Sequence, residues 1–194
     1  MRVIAGQYRS RPLKSLPGMD TRPTSDRLRE TLFNVLTAGG PSALDGTRWL
    51  DLFAGAGAVG IEALSRGAAQ VTFVESSRAA AKLIRGNLKS LGVTDGFNVI
   101  EQEVARVLKA LNGGLDVVFL DPPYRLSEAY EQTLQSLGNS QLLEINAIVI
   151  AEHDKRFDPG DRFGNLVRYR TLKQGNSGLS FYRLQSREES EPSS

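Results

Sequence analysis

The segment Asp121-Pro122-Pro123-Tyr124 concentrates more chemistry than any other stretch of this 194-residue chain. The exocyclic amine of a purine is a poor nucleophile, because its lone pair is delocalised into the ring. A carboxylate at Asp121 and the carbonyl of Pro122 can each accept one N–H, drawing the nitrogen toward a pyramidal geometry and stabilising the positive charge that develops as it attacks. The paired prolines stiffen the loop and hold that carbonyl in place. Tyr124 offers a ring face on which a flipped or single-stranded base can stack. Direct in-line transfer onto nitrogen by such a group requires no covalent adduct and no metal. In isolation the same four residues also describe a stiff turn with a capping Asp, so the preceding chain has to supply the context.

That context is Asp51-Leu52-Phe53-Ala54-Gly55-Ala56-Gly57-Ala58-Val59-Gly60, a strand running into a glycine-rich turn and then a helix. Gly55 and Gly57 allow a tight turn and close approach of the backbone to a ligand, and Gly60 allows the helix to pack against the sheet. Phe53, Ala54 and Ala56 complete the loop and count with it as cofactor-binding positions. Glu75 ends the next strand, where a carboxylate can accept hydrogen bonds from both hydroxyls of a ribose. An adenosine-containing cofactor is implied. The three glycines also satisfy the dinucleotide fingerprint, which keeps NAD as the rival. S-adenosylmethionine is favoured by Asp51, placed to balance an ammonium group, and by the lack of a second site for a hydride acceptor. The plain alternatives are a glycine turn needed only for packing and a solvated acid at Glu75.

These motifs must be held by an alternating fold. Strand-like runs at Trp49 to Phe53, Val71 to Val74, Phe97 to Ile100 and Val117 to Leu120 are separated by helical stretches near 57–66, 77–91 and 103–111. Alternation of this kind means βαβ units, a parallel sheet and helices on both faces. A helix near 127–137 leads to a fifth strand, Ala147 to Ala151. Leu166 to Lys173 and Gly178 to Leu184 are joined by too few residues for a crossover and must form an antiparallel hairpin. The expected architecture is α/β and Rossmann-like: seven strands, five of them parallel. In a doubly wound sheet the strand order reverses beside the first strand, so Asp121 should face the glycine loop and share in the cofactor site.

Before the first of these strands lie a hairpin, with Val3 to Ala5 against Pro12 to Leu16, and a helix capped by Thr24, Ser25 or Asp26 with apolar positions Leu28, Leu32, Val35 and Leu36. The expected organisation is a basic hairpin arm at 1–19, one catalytic domain at 20–185 and a disordered tail rich in Glu and Ser at 186–194. Trp49 reads as core and His153 as structural.

The net charge of +2 hides an uneven distribution. Residues 1–19 contain Arg2, Arg9, Arg11 and Lys14 and no acid, so they carry +4 and the remainder carries −2. Arg9, Arg11 and Lys14 are therefore candidates to grip nucleic-acid phosphates, with a solvated hairpin as the plain alternative. Absence of cysteine excludes disulfides, thiolate metal sites and thiol nucleophiles, including cysteine-adduct methylation of pyrimidines. A single histidine excludes a multi-histidine metal centre, and no metal is expected. The chain shows neither a secretory leader nor a membrane-length apolar run, so a cytoplasmic protein away from membranes is expected.

From Arg2-Val3-Ile4-Ala5-Gly6 through Thr21-Arg22-Pro23-Thr24-Ser25-Asp26-Arg27, Arg29-Glu30-Thr31-Leu32-Phe33-Asn34, Asp51 to Gly60, Glu62-Ala63-Leu64-Ser65-Arg66-Gly67-Ala68 and Asp121 to Tyr124, the chain resembles the bacterial 16S ribosomal RNA (guanine(966)-N2)-methyltransferase family. The resemblance runs over roughly residues 1–184. It implies a class I methyltransferase fold, S-adenosylmethionine as methyl donor, and N2 of a guanine in small-subunit rRNA, naked or within a ribosomal particle, as acceptor. Arg22 and Thr24 resemble a segment that closes over the active site, although Thr24 is equally suited to cap the helix. Where the family usually has an Asp near the adenine, this chain has Glu103 followed by Val104. A monomer is expected. Adenine N6 in RNA or DNA presents the same chemical problem to Asp121-Pro122, and only the resemblance favours guanine. A dehydrogenase, or an RNA-binding protein on an inactive methyltransferase fold, are the readings from other classes.

Overall fold

The computed structural model describes residues 1–15, 25–40, 42–123 and 127–185. Arg22, Thr24 and Tyr124, together with the tail expected from 186 onward, lie outside the described residues. Thirteen elements follow in order: α1 (Asp26–Leu36), β1 (Arg48–Leu52), α2 (Ala58–Ser65), β2 (Gln70–Val74), α3 (Arg78–Leu91), β3 (Phe97–Ile100), α4 (Val104–Ala110), β4 (Leu115–Leu120), α5 (Ser127–Gly138), β5 (Leu143–Asp154), β6 (Arg162–Phe163), β7 (Leu166–Gln174) and β8 (Ser177–Leu184). Of the three candidate caps for α1, Ser25 is the one used: its hydroxyl accepts the Leu28 N–H.

The strands form one sheet in the order β3-β2-β1-β4-β5-β8-β7-β6. β1 to β5 run parallel and the β7–β8 hairpin antiparallel, as expected. The sheet has eight strands where seven were expected. The additional one is β6, whose two residues pair with the start of β7. Two residues are too few for an alternation of apolar and polar positions to register in a sequence.

Strand residues alternate between two cores, as the period of two requires. Trp49, Phe73, Phe119 and Ile150 pack with Leu32 and Phe33 of α1, Ile61 of α2 and Ile84 and Leu88 of α3. Leu50, Leu52, Leu120 and Val149 pack on the opposite face with Val107 of α4 and Leu134 and Leu137 of α5. Trp49 is core, stacked on Phe33 with 5.6 Å between ring centroids. His153 is buried on β5 between the Ser180 hydroxyl and the Asp154 carbonyl, each at 2.9 Å. Phe157 meets its ring edge-on. This is a structural environment.

The basic hairpin, closed by the Arg2–Pro12 bridge, is seated on α2 and α3. Its anchor is Glu62, whose side chain is 0% exposed. The carboxylate accepts the Ile4 N–H at 2.7 Å, the Ala5 N–H at 2.9 Å and the Arg66 Nε–H at 2.7 Å, with Arg29 Nε 3.9 Å away. Gln7 N–H and Tyr8 N–H add bonds to the carbonyl and hydroxyl of Ser65. A side chain at Gly6 would run into that same Ser65 carbonyl. Val3 and Leu13 reach the core on the α1–α2–α3 side. Removing one member of a buried, hydrogen-bonded ion pair costs about 3 kcal/mol or more. Glu62→Ala is accordingly expected to lower stability by about that amount and to expose the hairpin to proteolysis, as read by urea unfolding and limited digestion; an unchanged urea midpoint would contradict this account of the anchor.

Candidate active site

At the end of β1 the chain turns through Phe53, a non-glycine residue at φ 57°, then Gly55 at φ 54° and Gly57 at φ 77°. Left-handed backbone is open to glycine without penalty and is strained for a phenylalanine, so the turn is held from outside. Three acceptors hold it. The Val74 carbonyl takes the Ala54 N–H at 3.1 Å. Glu75 takes the Gly55 N–H at 2.9 Å through one carboxylate oxygen and the Ser77 N–H at 2.8 Å through the other. Asp51 takes the Gly60 N–H at 2.9 Å, tying the strand to the first turn of α2. Gly60 itself faces Phe73 and Val71 so closely that no side chain would fit there. Glu75 thus has a structural duty that the sequence did not reveal. A carboxylate has about four lone-pair sites, so acceptors remain on it for a ribose.

Asp121 lies beside this loop. Leu52 at the end of β1 pairs with Leu120 at the end of β4, and the Asp121 N–H points to the Leu52 carbonyl at 3.4 Å. The same β4 end pairs with β5, Leu120 against Ala151, so Asp121 and Glu152 are the next residues on adjacent strands. Asp51 is 2% exposed and Glu152 1% exposed. Burial pushes the Asp51 carboxyl up to about 8, opposed by the Gly60 N–H and reinforced by Glu75. Asp121 is also raised well above the ordinary carboxylate range, first by desolvation, then by Glu152 and Asp51. Among the described residues neither Asp51 nor Asp121 has an ion-pair partner. The site therefore gathers buried carboxyls that lack cations of their own, and a cationic ligand would favour their ionised forms.

The family model described as conserved hypothetical protein 95 matches residues 1–183. Ribosomal RNA small subunit methyltransferase D of Haemophilus influenzae is 36% identical over 187 residues, 95% of this chain and 92% of that one. The chain belongs to this family. A candidate methyltransferase from Escherichia coli of solved structure superimposes with a TM-score of 0.81 at 32% identity, covering 95% of this chain and 98% of that one. The fold is shared more widely: an RNA methyltransferase from Salinibacter ruber in complex with S-adenosyl-L-homocysteine gives a TM-score of 0.64 at 19% identity, covering 89% and 97% of the two chains. The expected class I methyltransferase fold is the one observed.

Among the described residues, the structure brings Asp51, Phe53 to Gly57, Glu75, Asp121 and Pro122 to one end of the sheet. Glu103 and Val104 start α4, with Glu103 exposed and making no capping bond through its side chain. Arg9, Arg11 and Lys14 lie exposed on the hairpin. Three residues were missed in the sequence. Glu152 carried a signal, since it is an acid directly after the apolar run Ala147 to Ala151, as Glu75 and Asp121 are after theirs. Tyr130 carried none: its hydroxyl donates to the Glu152 carbonyl at 2.8 Å and lies 3.4 Å from the Pro122 carbonyl, bracing the loop. Asn87 joins the hairpin to the glycine loop, its amide donating to the Lys14 carbonyl at 3.1 Å and the Ala56 carbonyl at 3.0 Å.

The raised Asp51 acid fixes the sign of a pH effect. In the unfolded chain this carboxyl ionises near 3.8, whereas in the folded protein it keeps its proton until about 8. The native state binds the extra proton in that window, so its contribution to stability falls as pH rises from about 4 to about 8 and is constant above. Asp51→Asn retains an acceptor for Gly60 but cannot ionise. Urea unfolding is expected to show the wild type losing stability relative to this variant between pH 5 and pH 8 by at least about 1 kcal/mol; parallel pH profiles would show that Asp51 is ionised throughout.

Proposed function

We propose that this chain is a cytoplasmic, monomeric enzyme that transfers a methyl group from S-adenosylmethionine to the exocyclic N2 amine of a guanine in 16S, small-subunit ribosomal RNA, either as free RNA or within a ribosomal particle. The observation that carries the reading is the placement of Asp121-Pro122 beside the glycine loop through the Leu52–Leu120 strand pairing. When bound, S-adenosylmethionine supplies an electrophilic methyl group on a positively charged sulfur. Asp51, Phe53, Ala54, Gly55, Ala56, Gly57 and Glu75 would hold it, with Glu103 and Val104 beside the adenine. The unbalanced carboxyls at Asp51 and Asp121 fit its two cationic groups. They offer no cation to the two phosphates of NAD, and an anionic ligand would not favour their ionised forms, which weighs against a dehydrogenase.

Asp121 and the Pro122 carbonyl each accept one N–H of the amine, and Tyr124 stacks against the base. Once the nitrogen carries the methyl group its extra proton leaves through Asp121, whose burial beside Glu152 and Asp51 raises its affinity for a proton. Arg9, Arg11 and Lys14 contact RNA phosphates, and Arg22 and Thr24 close over the bound nucleotide. The choice of guanine over adenine rests on the resemblance of the motifs to the guanine-N2 family. The relatives named as small-subunit rRNA methyltransferases support ribosomal RNA as the substrate class.

Incubation with labelled S-adenosylmethionine and small-subunit rRNA, followed by nucleoside mass spectrometry, is expected to give N2-methylguanosine; N6-methyladenosine would replace the acceptor, and no labelled nucleoside would remove the activity. Asp121→Ala is expected to keep cofactor affinity within a few-fold while lowering turnover by about a hundredfold or more, roughly 3 kcal/mol. Near-normal turnover in that variant would refute its role. Glu75→Ala, which releases both Gly55 and Ser77, is expected to weaken S-adenosylmethionine binding at least tenfold by calorimetry, and wild-type affinity would dismiss it as a ligand.

A further inference from the structure

The second helix after β1 carries a charge pattern that its own stability does not explain. Arg78, Lys82, Arg85 and Lys89 recur at the spacing i, i+4, i+7 and i+11, all four are exposed, and α3 contains no acidic residue. At 3.6 residues per turn they form one stripe, on the side away from the buried Ala80, Ile84, Asn87 and Leu91. Like charges at i,i+3 and i,i+4 repel and weaken a helix. Arg78 is the first helical residue, where the dipole favours an anion. Only Lys89, in the last turn, sits where the helix itself favours a cation. The acids of the neighbouring β3 end compensate little: Glu101 stands 4.0 Å from Arg85, which also donates to the Val99 carbonyl at 2.9 Å, and Arg78, Lys82 and Lys89 have no ion pair among the described residues.

The stripe is continuous with surfaces already described. Its first residue follows Ser77, whose N–H is held by Glu75 at the rim of the cofactor loop. Its far end meets the hairpin, where the Arg11 guanidinium donates to the Ser90 carbonyl at 2.8 Å. Asn87 clamps Lys14 of the hairpin to the middle of the same helix. From Arg78 to Lys89 the helix rises about 16 Å, long enough to meet more than one phosphate of a nucleic-acid strand.

We propose that this exposed face of α3, continuing onto Arg11, is a phosphate-backbone track that holds the RNA substrate away from the target nucleotide. The inference rests on the reading of the chain as an RNA methyltransferase. It extends that reading to a surface on which no residue of the catalytic motifs lies. A run of cations that cost the helix stability, bridged to a basic hairpin and starting at the cofactor rim, complements a polyanion.

The test compares two double charge reversals of equal net effect. Lys82→Glu with Lys89→Glu changes the stripe, and Arg106→Glu with Lys109→Glu changes exposed cations of α4 on the opposite face of the sheet. Affinity for a small-subunit rRNA transcript is measured by fluorescence anisotropy between about 50 and 200 mM salt, with S-adenosylmethionine affinity by calorimetry as the check on folding. The stripe variant is expected to bind RNA at least tenfold more weakly at low salt, with a slope of log affinity against log salt reduced by about one to two. The α4 variant should stay within twofold. Should the reversal disturb the fold, Lys82→Gln with Lys89→Gln is expected to give the same change in slope at smaller amplitude. Equal losses in both doubles would reduce the effect to net charge and overturn the track, as would a stripe variant with wild-type affinity and slope. Failure of the underlying reading looks different: the wild-type protein would then methylate no RNA.

Discussion

Everything the site does depends on one pairing, that of the last residue of β1 with the last residue of β4. Leu52 against Leu120 places the glycine loop and Asp121-Pro122 a single inter-strand spacing apart, although about seventy residues separate them in the chain. The pairing exists because the strand order reverses there: β2 and β3 extend the sheet on one side of β1, β4 and β5 on the other. Loops leaving the two strands must then diverge to opposite faces, and the gap between them is where a ligand fits. Right-handed crossovers leave little freedom in this arrangement once four βαβ units have been written into the chain.

The same end of the sheet concentrates carboxyl groups. β1 carries Asp51 one residue before its end, Glu75 and Asp121 follow β2 and β4, and Glu152 lies near the end of β5; Asp51 accepts the Gly60 N–H, and Glu75 accepts the Gly55 and Ser77 N–H groups. Burial raises the affinity of Asp51 and Asp121 for protons, and a ligand bearing positive charge would relieve that cost when it binds. The acceptors of the proposed site are held in place by the fold itself, Asp121 by β4 and Pro122 by its ring and by Tyr130.

The N-terminal hairpin is less of an appendage than its composition suggests. Two buried residues, Glu62 and Asn87, accept or donate to its backbone, and Asn87 spends its remaining donor on Ala56 of the glycine loop. The basic surface is thereby fixed relative to the cofactor site by hydrogen bonds between main chain and side chain, and not by the flexible tether that a charged arm implies. Packing of Val3 and Leu13 into the α1–α2–α3 core reinforces this.

The sequence by itself determined the element types and order, because period and punctuation are local: the alternation of apolar runs and helical spacings, the glycine turn after β1 and the short link between β7 and β8 each depend on residues within a few positions of one another. It also marked Asp121-Pro122 and the glycine loop as candidate site motifs, since those residues are contiguous. Only the tertiary structure decided which distant residues share a site. Glu152, Tyr130 and Asn87 enter through strand register and helix placement, where partners lie tens of residues apart and no periodicity marks them. The edge strand β6 is likewise two residues of no distinctive pattern that become a strand because β7 offers unpaired backbone beside them. A hydrogen-bond partner supplied by another part of the chain leaves no trace in the local sequence, and for that reason the fold and the motifs were legible where the supports of the site were not.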